Sequence, residues 1–349
     1  MKPGLLRLWI GWMSVAAGLL LFSSCAHHER RPRPDVSHIE VPPIVIERFD
    51  QALTTLDTMH LHQALARLYK QYPAFMPIYF EQIMNYGPYS DTNHLLFEEV
   101  RAMLRSKDIH GLQDTINRHF PDLSWLEQQL RAGFRYLKYY FPTYPVPRVV
   151  TFYSGLNNFG AITIDTSVLG IGLDMFLGEN YPFYLQVSDP YPQYMLHQFA
   201  PAYIVPDCFK AIQQQMFPPA QEGTLLDMMV QAGKQLYFLD AVLPDAPDSV
   251  KIGFTQKQLD WCKQNERMIW QYFIQNNLLY VRDMQQIMHY VGPGPSTQGM
   301  PREAPGNIGS WVGWQIVRKY MNDHPQISLP QLMQMHDAQQ LLTDARYRP

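Results

Sequence analysis

The chain has 349 residues, 46% of them hydrophobic, and its 28 Lys and Arg against 31 Asp and Glu leave a formal charge of −3. Such a chain has ample material for a large core, which excludes disorder over most of its length. The near balance of charge, with no long basic stripe, argues against nucleic acid as a partner.

The first predicted element is a cleavable secretory signal over residues 1–24. A cationic start (Lys2, Arg7) and an apolar run from Leu8 to Phe22 lead to the small residues Ser23 and Ser24 before Cys25, the order in which export signals are built. The run is shorter than the roughly 18 apolar residues of a spanning helix and is interrupted by Gly11 and Gly18. Leu21-Phe22-Ser23-Ser24-Cys25 resembles the bacterial lipobox, with Phe22 where many lipoboxes carry an aliphatic residue. That resemblance makes Cys25 the lipid-carrying first residue of an exported chain; ordinary cleavage leaving a bare thiol is the alternative. Two or three acyl chains, at about 0.8 kcal/mol per buried methylene, hold a protein on a bilayer without a spanning helix. The lipid bilayer is thus an expected partner, and the expected location is a membrane lipoprotein facing the periplasm.

Residues 25–43 hold four prolines and several charges, the composition of a flexible tether. Fully stretched it reaches up to roughly 60 Å from the lipid. Its Arg30, Arg31 and Arg33 suit anionic headgroups, or simply keep a linker solvated.

A single domain is expected over 44–349, in a helical part, 44–147, and a second part, 148–349. Pro43 to Asp50 alternates as a short strand, and from Gln51 the spacing of Leu53, Leu56, Leu61, Leu65 and Leu68 turns helical. Further helices are predicted at 92–105, 110–118 and 124–140. In the centre, Val149–Tyr153, Ala161–Ile164 and Val168–Leu173 are β-prone runs separated by Gly and Asn turns, which predicts a small meander or hairpin. After Pro192 helices resume, with caps at Thr224, Thr255 with Gln258, Asn307, and Ser328 with Gln331. The fold class is α+β, mostly helical, with a small central sheet.

The motifs exclude more than they assign. Gly170-Ile-Gly-Leu-Asp-Met-Phe-Leu-Gly178 places Met175 where a dinucleotide fingerprint needs its third glycine, and no Walker lysine follows. It reads as a tight turn that brings Asp174 to a cleft edge. No G-x-S-x-G elbow and no H-E-x-x-H occur. His60 and His62, two residues apart, point to different helix faces and read as surface. No metal and no cofactor are expected. Cys208 and Cys262 lack metal-type spacing and read as buried thiols, although an oxidising periplasm permits a disulfide.

The loop Gly292 to Gly306 is long for a mere connection. With Arg302 beside the free N–H groups of the Ile308 helix it suits an anion such as a carboxylate; the alternative is a loop packed by its own prolines. Gly309 and Gly313, a turn apart, permit close backbone contact, with Trp311 and Trp314 as bulk. Asp227 and Lys234, seven residues apart, roughly share a helix face, as a cleft lining or a solvated pair.

Taken together, IERFD at 46–50, GIGLDMFLG at 170–178, IVPD at 204–207, TLLDMM at 224–229, GKQLYFLD at 233–240 and PGPSTQGMPREAPGNIGSWVGWQIVRKYM at 293–321 resemble the gliding-motility lipoprotein family of GldB type. The resemblance covers nearly the whole mature chain. It implies a membrane lipoprotein of gliding, surface-associated bacteria, with the gliding and secretion machinery as partners and no known reaction. The C-terminal half also resembles a remote, degenerate zinc-peptidase-like (zincin-like) domain, in which a helix similar to 224–240 carries a ligand glutamate just before its glycine. Here Ala232 precedes Gly233 and the paired histidines are missing, so most of the metal's binding free energy is gone.

What the resemblance leaves is a groove that binds a protein segment without cutting it, with Asp174, His197, Asp227, Lys234, Arg302, Glu303 and Trp311 as candidate lining. A rival reading is a cryptic hydrolase built on Asp174, His197, Asp227 or Glu303, which requires such groups to converge on a substrate. Another is an envelope- or carbohydrate-binding module using Tyr181, Phe183, Tyr184 and Tyr191, which requires exposed, coplanar rings.

Overall fold

The computed structural model describes residues 31–187 and 190–349; the signal and Cys25 lie outside that range. Strand β1 (Ile46–Arg48) follows Ile44, and the alternation is visible in burial: Ile44 and Ile46 face the core while Val45 is 69% exposed. Straight after it come helices α1 (Phe49–Thr54) and α2 (Leu61–Gln71). The helical pattern expected to run through both is broken where Asp57 accepts the Met59 N–H at 2.8 Å and holds a turn.

Next are α3 (Phe75–Ile78), continued by a π turn (Tyr79–Ile83), then α4 (His94–Arg105), α5 (Lys107–His119) and α6 (Ser124–Tyr140). Asn93 and Ser106 cap α4 and α5 by accepting N–H groups of the first turn. Phe49 sits edge-on to Tyr72, Phe75 and Tyr79 with ring centroids 5.2, 5.0 and 4.9 Å away, a geometry that aligns ring edges with the electron-rich faces.

Strands β2 (Arg148–Phe152), β3 (Ala161–Ile164) and β4 (Val168–Gly172) complete a four-stranded sheet of order β1-β2-β4-β3. Of the expected meander or hairpin, the hairpin forms between β3 and β4, and the meander is corrected. β2 runs parallel to both β1 and β4, with Ile46 opposite Val149 and Val149 opposite Leu169, and only β3 is antiparallel, on β4. Continuous burial along β4 and most of β2 is what parallel strands covered on both faces require. Gly170 and Gly172 lie inside β4, and a Cβ on Gly172 would stand 1.9 Å from the Phe159 carbonyl oxygen. Gly172 admits neighbouring backbone and Gly170 the Ile162 side chain, and the expected turn follows them at Leu173–Phe176.

The second half is helical: α7 (Ile204–Met216), α8 (Leu225–Val242), α9 (Asp248–Ile252), α10 (Gln256–Gln264), α11 (Glu266–Gln275), α12 (Met284–Val291), α13 (Ile308–Asp323), α14 (Leu329–Met333) and α15 (Ala338–Ala345). Capping boxes start three of them: Thr224 with Asp227, Thr255 with Gln258, and Ser328 with Gln331. The cap expected at Asn307 is corrected. Asn307 takes the left-handed conformation (φ 62°), its side chain caps no N–H, and it accepts instead the Ser310 hydroxyl.

Helix α13 is apolar almost all round and therefore buried. It packs on α8 backbone to backbone: a Cβ on Gly313 would lie 1.7 Å from the Met229 carbonyl oxygen, and one on Gly233 2.3 Å from Gly313. One cluster of buried side chains runs from Val41 to Tyr347 and draws on both halves of the chain. Cys208 and Cys262 are buried free thiols, and burial pushes both up from the usual thiol range. Among the described residues no helix is long and apolar enough to cross a membrane.

The tether expected over 25–43 is corrected in its described portion, where it lies against the body. Val41 is buried and its carbonyl accepts Arg131 Nε at 2.9 Å, while Arg31 and Arg33 bond to the helical half.

Candidate functional site

The seven side chains that the sequence proposes for a groove do not form one. Asp174 stands in the 3₁₀ turn after β4, fully buried, not at a cleft edge. Its Oδ2 accepts the Ser154 and Leu156 N–H groups, each at 2.8 Å, and the Ser154 hydroxyl at 3.0 Å, while Oδ1 has no partner. Burial pushes its pKa up to about 6 against those donors. Its role is to clamp a loop in which Gly155 and Leu156 both have positive φ, a conformation that costs a bulky residue and needs outside support.

Asp227 closes the Thr224 capping box. Lys234 turns away from it and donates to the Met335 carbonyl at 2.7 Å, binding α8 to the end of α14; burial lowers its pKa. Trp311 is core.

The other three candidates gather round the 292–306 loop. His197 Nε2 meets the Gly253 carbonyl at 3.0 Å and lines a small cleft of about 140 Å³ with Gly294, Gly306 and Asn307. Arg302 and Glu303 border a more open hollow beside Trp261, and Gln258 lines both. The loop is held by itself: the Thr297 N–H donates to Ala304 at 3.2 Å, its hydroxyl to Pro305 at 2.5 Å, and Gly306 lies on Gly294. Arg302 thus lines the hollow.

Asp174, His197, Asp227 and Glu303 are engaged in separate places, with no shared pocket of the kind acid–base chemistry requires. Among the described residues, no three His, Cys, Asp or Glu side chains group so as to hold a metal ion. The tyrosines proposed as a sugar platform stack edge-on, Tyr184 against Tyr191 at 90° and Tyr191 against Phe199 at 89°, with Tyr184 fully buried. Phe183 alone of the four is exposed, at 51%, and its ring is tilted 52° to Tyr181, so the rings do not share one flat face.

A cleft of about 460 Å³ opens elsewhere, between α6, α8 and α13. Tyr136, Tyr139 and Tyr140 of α6 form one wall and Tyr237 of α8 another. Asp240 and Arg318 form the floor. Asp240 accepts Lys251 Nζ at 2.9 Å, the Trp314 indole N–H at 2.9 Å, and Arg318 through Nε at 2.7 Å and Nη2 at 2.8 Å. Arg318 also forks onto Asp248 with two bonds of 3.0 Å, and its guanidinium lies 3.6 Å above the Trp314 ring.

Two carboxylates thus face two cations, each bonded, in a site where Lys251 has no exposed surface. Burial works against the Arg318 charge, yet Asp240 and Asp248 outweigh it and hold its pKa above the ordinary value. Such a set adds little net stability over apolar packing, but losing one member costs about 3–5 kcal/mol.

A further wall of the cleft is a stretch near the start of the described chain, Arg31-Pro32-Arg33-Pro34. Burial raises the hydroxyls of Tyr140, to about 12, and of Tyr237, while the nearby Arg31 cation pulls both the other way.

Sequence reasoning missed this cleft, although part of its signal was local. Tyr136 and Tyr140, and Trp314 and Arg318, are pairs four residues apart on predicted helices, and such pairs share a face. What joins them, Asp240 to Arg318 and to Lys251, spans loops that spacing cannot read.

A family model described as gliding motility protein GldB matches residues 29–349 of the chain. No curated protein and no solved structure matches it.

Proposed function

The chain belongs to the gliding motility protein GldB family, a family of lipoproteins, and from that membership we propose that it is a lipid-anchored, non-catalytic part of the gliding machinery that grips an extended protein segment. The groove is the cleft between α6, α8 and α13. The observation that carries the reading is that this cleft, lined by tyrosines with Asp240 and Arg318, has an Arg-Pro-Arg-Pro stretch of the chain laid along it as one of its walls. Rigid proline-containing chains lie well in aromatic grooves because their conformation is largely set beforehand.

The anchor is acylated Cys25, the body faces the periplasm, and the partners are other gliding and secretion components. A degenerate zinc-peptidase-like scaffold agrees with Ala232 standing where that resemblance puts a ligand glutamate, beside a glycine used here for helix contact. The dispersal of Asp174, His197, Asp227 and Glu303 supports binding without cleavage.

Complementation tests this. A strain lacking the gene should fail to spread on a surface, and the native gene should restore spreading. Cys25→Ser, or Tyr140→Ala with Tyr237→Ala, should not restore it, although each protein accumulates and the cleft variant melts as a folded domain. A deletion strain that spreads normally, or turnover of a peptide library by the pure protein, would overturn the reading.

A further inference from the structure

The start of the described chain is bonded to the body at both ends of the cleft. Arg31 reaches the carboxyl end of α13, where its Nε donates to the Met321 carbonyl at 2.6 Å, Nη1 to Ile327 at 2.8 Å, and Nη2 to Met321 and His324. Carbonyls of a last helical turn lack intrahelical donors and carry the negative end of the helix dipole, so a guanidinium matches them in hydrogen bonding and charge. Arg33 pairs with Asp245 and donates to the Pro244 carbonyl at 3.0 Å, just past the end of α8. Pro32 and Pro34 line the cleft with Tyr139, Tyr140 and Tyr237. Proline fixes φ and lacks an N–H, so these two positions lose little freedom and leave no donor unpaired on docking.

We propose that residues 31–34 are a latch: an arginine–proline stretch of the membrane tether that lies along the cleft between α6, α8 and α13, walls off one side of it and, while seated, keeps the domain close to the bilayer. This rests on reading the cleft as a segment-binding site and Cys25 as the anchor. Five residues separate Cys25 from Arg31, so the two are at most about 20 Å apart along the chain. With the latch released, the next fixed point is Val41, buried and held through its carbonyl by Arg131. The chain from Cys25 to Val41 spans up to about 55 Å. A partner segment of the same chemistry must displace the latch to enter, so occupancy and reach from the membrane are coupled.

The test uses the full mature chain and a fluorescent peptide with the sequence of residues 30–37, followed by fluorescence anisotropy. A segment tethered beside its own site competes at an effective concentration of about millimolar. Arg31→Ser with Arg33→Ser, which weakens the latch and leaves the cleft intact, should therefore bind the peptide about tenfold more tightly than the wild type. Adding Tyr140→Ala and Tyr237→Ala should abolish that binding. A gain in affinity cannot come from misfolding. Equal binding by wild type and latch variant would overturn the latch and leave the cleft reading standing. Absence of binding by either would also overturn the latch, and the spreading test then decides the cleft reading separately.

Discussion

Asp174 and Asp240 are both carboxylates taken out of water, one behind the sheet and one between helices. Asp174 is surrounded by neutral donors on one oxygen and nothing on the other, and its pKa rises to about 6. Asp240 meets an ammonium, a guanidinium and an indole N–H. Dipoles alone only partly replace the hydration of a buried carboxylate, whereas two cations give it a partner for its charge. The contrast separates a carboxylate held by neutral dipoles from one bonded to two cations, and it places the charged network at the cleft.

The largest expected effect comes from removing the Asp240 charge. Asp240→Asn removes the charge that Lys251 and Arg318 both bond, and should lower the unfolding free energy at pH 7 by about 3–5 kcal/mol in a urea titration. A loss below about 1 kcal/mol would erase the distinction drawn here.

Asp174→Asn should behave otherwise. Because the folded-state pKa lies above the ordinary carboxyl value of 3.8, the folded protein holds the extra proton between about pH 4 and 6. The contribution of this group to stability is thus greatest below that window, falls as pH rises through it, and stays low above it. The stability of the wild type relative to the variant should drop by on the order of 2 kcal/mol from pH 4 to pH 7, read from paired urea titrations. A pH-independent difference would count against the assignment.

A smaller loss sharpens the helical side of the comparison. Arg318→Lys keeps the charge but gives up the fork onto two carboxylates and the stack on Trp314, and should cost about 1–2 kcal/mol by thermal unfolding. The smallest effect belongs to a solvated pair. Arg101→Ala removes the partner of Glu98, 69% exposed, and should leave the melting temperature unchanged within error.

How much of this could be read in advance follows the range of each interaction. The boxes at Thr224, Thr255 and Ser328 were legible because donor and acceptor lie three residues apart. Asn307 was misread because a left-handed backbone at that position swings the side chain away from the free N–H groups. The parallel pairing of Ile46 with Val149 was invisible, since nothing in either run names its partner. Three of the proposed site residues, His197, Arg302 and Glu303, do meet around one loop, where chain proximity placed most of them. Asp174, Asp227, Lys234 and Trp311 have chemically suggestive side chains whose valences the fold itself consumes, and only contacts across the structure reveal that.

The glycine contact between α8 and α13 has a mechanical consequence. Gly313 rests against a carbonyl, and Gly233 against Gly313; backbone atoms cannot rotate aside, so these helices resist sliding past each other. On α6, by contrast, Gly133 abuts the Phe209 ring and a Leu243 methyl, which yield by changing rotamer. The cavity they enclose therefore has one fixed jaw, carrying Tyr237 and Arg318, and one adjustable jaw, carrying Tyr136 and Tyr140.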